Sequence, residues 1–338
     1  MLRHKLISLL AILKSKFNIY KAYLKERSEN FSEVSFDIVI LCILGFLCLY
    51  YPVGAWLTNK IDRRIDIETI AAEPSQSQTI NSISALINQE VNEKIWTPNL
   101  PFFFPAAILD NMPNYQLGIM NALSKFTTTF EKCLDRNFPD KENHSPLYKA
   151  AVLLRYPGTV WMFDAQNKIK PVPSASSQYR KARRMLHKYN LLLSANQQDF
   201  PQNASDLVLI LRKSSLDMAQ SNNQLSAIVR ENSSSWLDTQ ADNTFYFNQG
   251  KIYAYYQLFK ALGQDYKTVI VDNNQYQNWI SLTKALEDAC LIQPAIIRNG
   301  ELSSMTAPNH LAYLNSYIFK ARNTIEKIIS ALQHPEKK

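Results

Sequence analysis

The run from Ile38 to Leu57 contains twenty residues without a charged side chain, and it constrains the chain more than any other feature. A helix rises about 1.5 Å per residue, so this run covers roughly the 30 Å hydrocarbon core of a bilayer. Eleven of its residues are Leu, Ile, Val or Phe, which favour insertion. Tyr50, Tyr51 and Trp56 lie toward one end, where amphipathic rings prefer the headgroups. The sequence therefore predicts a transmembrane helix over residues 37–58.

Basic residues are concentrated before this predicted span: Arg3, Lys5, Lys14, Lys16, Lys21, Lys25 and Arg27. After it, Lys60, Arg63 and Arg64 are interleaved with acidic residues. Because Lys and Arg near a span stay in the cytoplasm, we expect a bacterial inner-membrane protein with a cytoplasmic N-terminus and a periplasmic C-terminal domain. The alternative is a cleaved signal peptide with a site at Val53 and Ala55, although the apolar run is longer than the roughly 7 to 15 residues usual for a signal peptide.

Residues 1–36 form a basic arm in which apolar side chains recur three or four residues apart, from Leu2 to Leu24. This spacing predicts an amphipathic helix that lies on an anionic inner leaflet, with its apolar face toward the acyl chains. The lipid bilayer is thus the first expected partner. The alternative is a short solvated arm.

The charge of the exported part excludes one class of partner. The whole chain has a net charge of +8, and beyond residue 37 it holds 30 basic and 25 acidic side chains. This modest excess gives no reason to expect a nucleic acid. Cys133 and Cys290 also lie in this part, each on an apolar helical stripe. The sequence leaves open whether they form a disulfide or remain two buried thiols.

Helix signals recur along the rest of the chain, and the whole sequence contains only 7 glycines for hairpin turns. Apolar periodicity predicts helices over residues 80–95, 113–134, 177–193, 206–229, 244–262, 274–291 and 308–332. A shorter helix is expected after Ser145 and Pro146, an N-cap residue followed by a proline at the first helical position. We predict an all-α protein in which N-terminal amphipathic and transmembrane helices precede a multi-helix periplasmic bundle. A linker is expected at 59–78, a helical domain at 79–333 and a tail at 334–338. Residues 160–163 are the best strand candidate, short and isolated.

The motifs of common catalytic and metal sites are missing. The five histidines form no His-Glu-x-x-His, and the cysteines form no Cys-x-x-Cys. Neither Gly-x-Ser-x-Gly nor a phosphate-binding Gly-x-x-x-x-Gly-Lys loop occurs. We therefore predict no catalytic residue, no metal and no cofactor.

Five residues are candidates for ligand binding, each with a structural alternative. Asp110 and Asn111 precede Pro113 beside an aromatic, proline-rich segment, where they could instead cap a helix. Arg180 and Arg184 belong to a basic helix face, with Arg183, His187 and Lys188, that could bind lipid phosphate or a wall-polymer carboxylate, or could simply be solvated. His310 starts the last predicted helix, where a cap or core contact is the common role.

Several short motifs occur in a fixed order between about residues 100 and 330, and together they resemble the proteobacterial family called domain of unknown function 2333. They are Asp110-Asn111-Met112-Pro113, Gly118, Tyr179-Arg180, Asp242, Phe245-Tyr246, Gly250, Pro294, Asn299-Gly300, Asn309-His310, Tyr317-Ile318, Lys320-Ala321 and Ile325. The resemblance implies one N-terminal span and a mostly helical exported part, with no established activity. The basic arm and the phenylalanines at 102–104 depart from the family pattern.

These observations favour a binding or scaffold module in cell-envelope organisation over an enzyme. The expected partner is an envelope protein of unknown identity, and the sequence is compatible with an oligomer. The alternative function is an envelope enzyme that acts on cell-wall or lipid substrates through a composite polar site. That site would combine Asp110, His310 and the basic helix. A sensory domain is a third alternative, although no cytoplasmic output module is recognisable.

Overall fold

The computed structural model describes residues 14–23, 31–58, 61, 67, 76–101, 103–107, 109–134, 145–162, 171–195, 203–231, 239–294, 296–300 and 309–334. The chain divides into two compact units, Met1–Leu57 and Thr58–Lys338, which are described separately. Within the described residues there is no β-strand, and one isolated bridge joins Asn299 to Asn309. The predicted all-α class is confirmed for this part of the chain.

The first unit contains helix α1, residues 14–23, and helix α2, Phe31–Thr58. Within α2, Phe36–Leu57 has the length and apolar composition needed to cross a membrane. In its most apolar stretch of 18 residues, 6% is buried within the protein. Its apolar side chains therefore face outward on all sides, as they do in a helix surrounded by acyl chains. Residues 1–13 and 24–30 of the predicted arm lie outside the described residues.

The second unit consists of nine helices within the described ranges, in the order α3 to α11. Their bounds are Gln78–Asn88, Asn111–Leu134, Pro146–Leu154, Ala175–Ser194, Ala204–Glu231, Thr239–Asp265, Lys267–Asp272, Tyr276–Cys290 and His310–Gln333. A π-helical turn, Gln89–Glu93, extends α3, and a 3-10 turn, Pro105–Ala107, precedes α4. Apolar stripes on these helices form one continuous core.

Helix α8 is the centre of this core. Every residue from 248 to 259 is buried, so all faces of three turns are covered by other helices. Helices α3, α4, α7, α10 and α11 pack against it. Around this centre, α3, α4, α5 and α6 form one group of contacting helices, and α7, α10 and α11 form another.

Helices α4 and α8 approach each other so closely that only glycine fits at their crossing. A Cβ atom on Gly118 would lie 1.9 Å from the carbonyl oxygen of Phe247, and one on Gly250 would lie 2.1 Å from that of Tyr115. The first turns of the two helices also meet, because the Asn114 amide donates to Asn243 Oδ1 at 2.8 Å. Both glycines therefore fix the position of α4 on the central helix.

Two sequence predictions about local structure need correction or completion. The strand prediction is wrong for residues 160–162. The Val160 N–H donates to the Pro157 carbonyl and closes a turn that contains Pro157 and Gly158. Residue 163 lies outside the described part. Helix α9 was not predicted, because its six residues are too short to show a helical period. By contrast, the expected cap and proline at Ser145 and Pro146 open α5.

The two cysteines of the second unit are separate buried thiols. Cys133 packs in α4 with its sulfur near the Asp206 carbonyl, and Cys290 ends α10. Burial, with a smaller effect of Glu287, raises the pKa of the Cys290 thiol well above its ordinary value. A protonated, inaccessible thiol is unreactive, so Cys290 acts as a small apolar side chain in this fold.

Candidate functional site

Helix α6 presents the basic face that the sequence singles out. Ser174 caps its N-terminus by accepting from the Ser177 N–H, and the helix buries an apolar stripe that includes Tyr179, Ala182 and Leu186. The intervening positions are therefore turned away from the core. They carry Arg183, Arg184, His187 and Lys188.

A groove of about 550 Å³ lies between this face and α3. We call it the α6 groove. Its residues are Asn81, Ser84, Ala85 and Asn88 from α3, and Arg183, Arg184 and His187 from α6. The α3 wall is built from small or amide side chains one helical turn apart, which leaves room for a ligand beside the longer basic side chains.

The α6 groove has an excess of positive charge. None of the described residues that line it is acidic. Within the described part of the chain, Arg183, Arg184 and His187 have neither an ion-pair nor a side-chain hydrogen-bond partner. Guanidinium groups are fork-shaped donors that match carboxylate and phosphate oxygens. The groove can therefore bind an oxyanion by charge-assisted hydrogen bonds, while the α3 amides supply neutral donors.

Buried polar contacts hold α3, and with it one wall of the groove, in position. Asp265 at the end of α8 accepts from Ser77 Oγ at 2.7 Å and from the N–H groups of Gln78 and Thr79 at 2.8 and 3.0 Å. Burial raises the pKa of Asp265, and these donors oppose the rise. Asn190 of α6 donates to the Ser77 carbonyl at 3.1 Å and to Asn81 Oδ1 at 2.7 Å. These hydrogen bonds of Asn190 therefore join α3 and α6 directly.

Arg180 has a structural contact of its own one turn before the groove. Its Nε donates to Asn92 Oδ1 at 3.0 Å, and its NH2 group donates to the Val91 carbonyl at 3.1 Å. It thus joins α6 to the π-helical turn after α3. Of the two predicted arginines, Arg184 lines the groove and Arg180 does not.

Asp110 directly precedes α4, and Asn111 is the first helical residue. The Asn114 amide donates to the backbone carbonyl of Asp110 at 2.8 Å. The structure adds a neighbour that the sequence did not reveal. Asp242, in the first turn of α8, has a pKa raised to about 6, chiefly by burial and further by the negative charge of Asp110.

His310 begins α11, and its ring is held by a backbone contact. The Arg298 N–H donates to His310 Nδ1 at 3.1 Å. Partial burial and the positive charge of Arg298 lower the pKa of His310, which favours the neutral imidazole. The neighbouring Asn309 caps the helix by accepting from the Ala312 N–H at 2.9 Å, and its amide donates to Asn299 Oδ1 at 2.8 Å.

The candidates thus have separate surroundings. No contact in the described ranges joins Asp110, Arg180 and His310, and their role in ligand binding stays a prediction. Nor do the described residues include a group of three or more His, Cys, Asp or Glu that could hold a metal ion. Phe103 and Phe104 of the aromatic segment are exposed and in ring contact; Phe102 is not among the described residues.

Comparison with known proteins identifies most of the second unit. A family model described as "Uncharacterized protein conserved in bacteria (DUF2333)" matches residues 99–213 and 208–334, which together are more than two thirds of the chain. No curated protein and no solved structure matches the chain. The α3 wall of the α6 groove lies before the matched region, whereas the basic α6 wall lies within it.

Proposed function

This chain belongs to the bacterial DUF2333 family, and from that premise we propose that it is a single-span inner-membrane protein whose periplasmic helical unit binds anionic envelope ligands. The α6 groove is the binding site in this proposal, and the ligand chemistry is that of a carboxylate-bearing wall polymer or a lipid phosphate. The protein would act as a binding or scaffold module in envelope organisation.

The proposed location is supported by the apolar helix Phe36–Leu57 and by the charges around it. This helix has the length and composition of a membrane span. Basic side chains are concentrated before it, and by the positive-inside rule this supports a cytoplasmic location for residues 1–36. The second unit would then be exported, where it meets the wall and the outer leaflet of the inner membrane.

The observation that carries the proposed binding function is the unneutralised charge of the α6 groove. Arg183, Arg184 and His187 face a groove in which no described lining residue is acidic, and α3 is held against α6 by Asn190. A preorganised groove loses little conformational entropy when an anion binds.

An envelope enzyme is the second candidate, and one observation favours it. Asp242 and Asp110 lie close enough to interact at the starts of α8 and α4, and a carboxyl with a pKa of about 6 is suited to proton transfer near neutral pH. The composite site predicted from Asp110, His310 and the basic helix has less support, because these groups contact different elements. We therefore place the binding function first.

Sedimentation with anionic envelope material tests the binding proposal. The full chain in neutral phosphatidylcholine nanodiscs is mixed either with purified peptidoglycan sacculi or with phosphatidylglycerol vesicles. We expect saturable binding to one of these two materials. The double substitution Arg183→Gln with Arg184→Gln should weaken that binding at least tenfold, which corresponds to a loss of about 1.4 kcal/mol in binding free energy.

The matched control removes two charges from the same helix outside the groove. Lys181 and Lys188 are exposed on α6 and do not line the groove, so Lys181→Gln with Lys188→Gln should change the affinity less than twofold. Equal losses in the two double variants, or no binding to either material, would contradict a specific groove.

A further inference from the structure

A second cavity lies between α4 and α7, on the side of α4 that faces Arg155 at the end of α5. Its volume is about 630 Å³, within the usual range of small-molecule sites, roughly 300–1,000 Å³. We call it the α4–α7 cavity. Its polar and charged lining residues are Asn121, Ser124, Lys125, Thr128, Thr129, Lys132, Arg155, Lys213, Ser214, Asp217, Gln220 and Tyr255.

A buried ionic cluster forms the inner end of the α4–α7 cavity. Asp217 Oδ1 accepts from the ammonium groups of both Lys125 and Lys251, the latter at 3.0 Å, and Asp217 Oδ2 accepts from the Tyr255 hydroxyl at 2.9 Å. The side chains of Lys251 and Asp217 are 1% and 4% exposed. One carboxylate therefore serves two ammonium groups, and the cluster has an excess of positive charge.

This excess is only partly accessible to solvent, because the Lys251 and Asp217 side chains are buried whereas the Lys125 side chain is 42% exposed. Burial lowers the pKa of Lys251, the attraction of Asp217 opposes that change, and the nearby charge of Lys125 adds to it. A buried charge is stable only when it is paired. An additional anion at the open end of the cavity would relieve the repulsion between the two ammonium groups.

The outer part of the cavity adds three more cations. Lys132, Arg155 and Lys213 are exposed, and none of them has a partner for its charge among the residues that the structure describes. Among the described lining residues, Asp217 is the one acidic side chain. The cations come from three different helices, α4, α7 and the end of α5, so the fold and not one helical stripe brings them together.

Hydrogen-bonding groups complete the cavity. The amide oxygen of Asn121 is buried and has no hydrogen-bond partner among the described residues. A rotation of the amide would instead present its N–H groups to a ligand oxygen. The hydroxyls of Ser124, Thr128 and Thr129 lie along the same side of α4, and those of Thr128 and Thr129 donate to the Ser124 and Lys125 carbonyls at 2.8 and 3.1 Å. A bound anion could thus accept bonds from Asn121 and Ser124 as well as from ammonium groups.

We propose that the α4–α7 cavity binds a ligand with two or more phosphate groups. Lysines act as point charges toward phosphate, and the spread of cations over three helices suits two separate anionic groups better than one. The same chemistry occurs in a free polyphosphorylated compound and in a diphosphate lipid headgroup. This site is separate from the α6 groove and does not depend on the proposed function.

Calorimetric titration with inorganic pyrophosphate tests the proposal. The full chain in phosphatidylcholine nanodiscs should bind pyrophosphate saturably. Lys132→Gln with Lys213→Gln should weaken that binding at least tenfold. Arg212→Gln should change it less than twofold, because Arg212 is an exposed cation next to Lys213 that does not line the cavity.

Two further arms identify the source of the phosphates and keep the two sites apart. If a lipid headgroup is the ligand, the chain in cardiolipin nanodiscs should bind pyrophosphate at least tenfold more weakly than the chain in phosphatidylserine nanodiscs of equal charge. If a free compound is the ligand, the pyrophosphate affinities in the two kinds of nanodisc should be equal. Arg183→Gln with Arg184→Gln should leave pyrophosphate binding unchanged. Absence of saturable binding in phosphatidylcholine nanodiscs would overturn the proposal, and so would equal losses for the Lys132 and Lys213 double variant and for Arg212→Gln.

Discussion

Single polar side chains form the hydrogen bonds that hold helix ends in place in this protein, and several of these bonds join residues far apart in the sequence. Asp265 accepts three hydrogen bonds at the start of α3, nearly two hundred residues earlier in the chain. Gln116 of α4 accepts from Thr97 and donates to the Ile95 carbonyl, which fixes the turn after α3. Sequence patterns reveal local caps such as Ser145 but not these remote ones, because the partners become neighbours only after folding.

Asp242 gives a prediction about stability and pH. Its pKa in the fold is about 6, above the ordinary 3.8, so the folded state keeps a proton that the unfolded chain has lost between about pH 4 and 6. Stability contributed by this group therefore falls as the pH rises through that window, and stays lower above it. We expect Asp242→Asn to stabilise the protein at pH 7.5 by about 1 kcal/mol, after discounting for solvent screening.

Urea unfolding of the full chain in detergent, followed by circular dichroism at pH 4 and 7.5, measures this effect. The gain for Asp242→Asn should vanish at pH 4, where the carboxyl is protonated in the folded state. The control is Asp272→Asn, at an exposed acid at the end of α9, which should change stability little at either pH. A gain that is the same at both pH values would contradict the assignment.

At the scale of helices, the sequence signals located most elements and missed how they meet. Apolar periodicity predicted α3, α4, α6, α7, α8, α10 and α11, with ends displaced by several residues. It did not reveal that α8 is central, because a helix buried on all sides has polar residues such as Lys251 and Gln257 that need partners from other helices. Those partners are invisible to a local pattern.

The crossing of α4 and α8 gives a prediction at this scale. An alanine at position 118 would place its Cβ 1.9 Å from the Phe247 carbonyl oxygen, so the helices must separate. We expect Gly118→Ala to destabilise the second unit by about 2 kcal/mol, the cost of overpacking less the helix propensity gained.

Thermal unfolding of the full chain in detergent checks this expectation, with Gly45→Ala as the matched control. Gly45 lies in α2, and a Cβ there meets nothing within 4 Å, so the same substitution should leave unfolding of the second unit unchanged. Unfolding of Gly118→Ala at the wild-type temperature would show that the helices can separate without cost.

The molecule as a whole consists of two units with different solvent requirements. The first has an apolar helix whose side chains are exposed in the protein, and the second has a core of its own with polar and charged residues outside. This contrast is typical of a chain in which one helix anchors a water-soluble unit to a membrane. This contrast and the distribution of basic residues support the proposed location.

A reporter fusion tests the proposed orientation. Alkaline phosphatase joined after Lys338 should be active in bacterial cells, because the enzyme folds only where disulfides form. Replacing the basic residues of the arm at Lys14, Lys16, Lys21 and Lys25 with Gln should lower that activity, since the positive-inside signal weakens. The fusion should also stay with the membrane in alkaline carbonate. Activity of a cytosolic reporter at the same position would contradict the export of the second unit.

The sequence by itself determined the apolar helix, the all-α class, most helix positions and the family. These properties depend on length, local periodicity and ordered motifs, all of which can be read along the chain. Only the tertiary structure decided which charges meet: Asp242 beside Asp110, Lys251 and Lys125 on Asp217, and Arg184 in a groove opposite α3. Such neighbours come from distant segments, because burial of apolar stripes selects the packing and the polar side chains must then find partners within it.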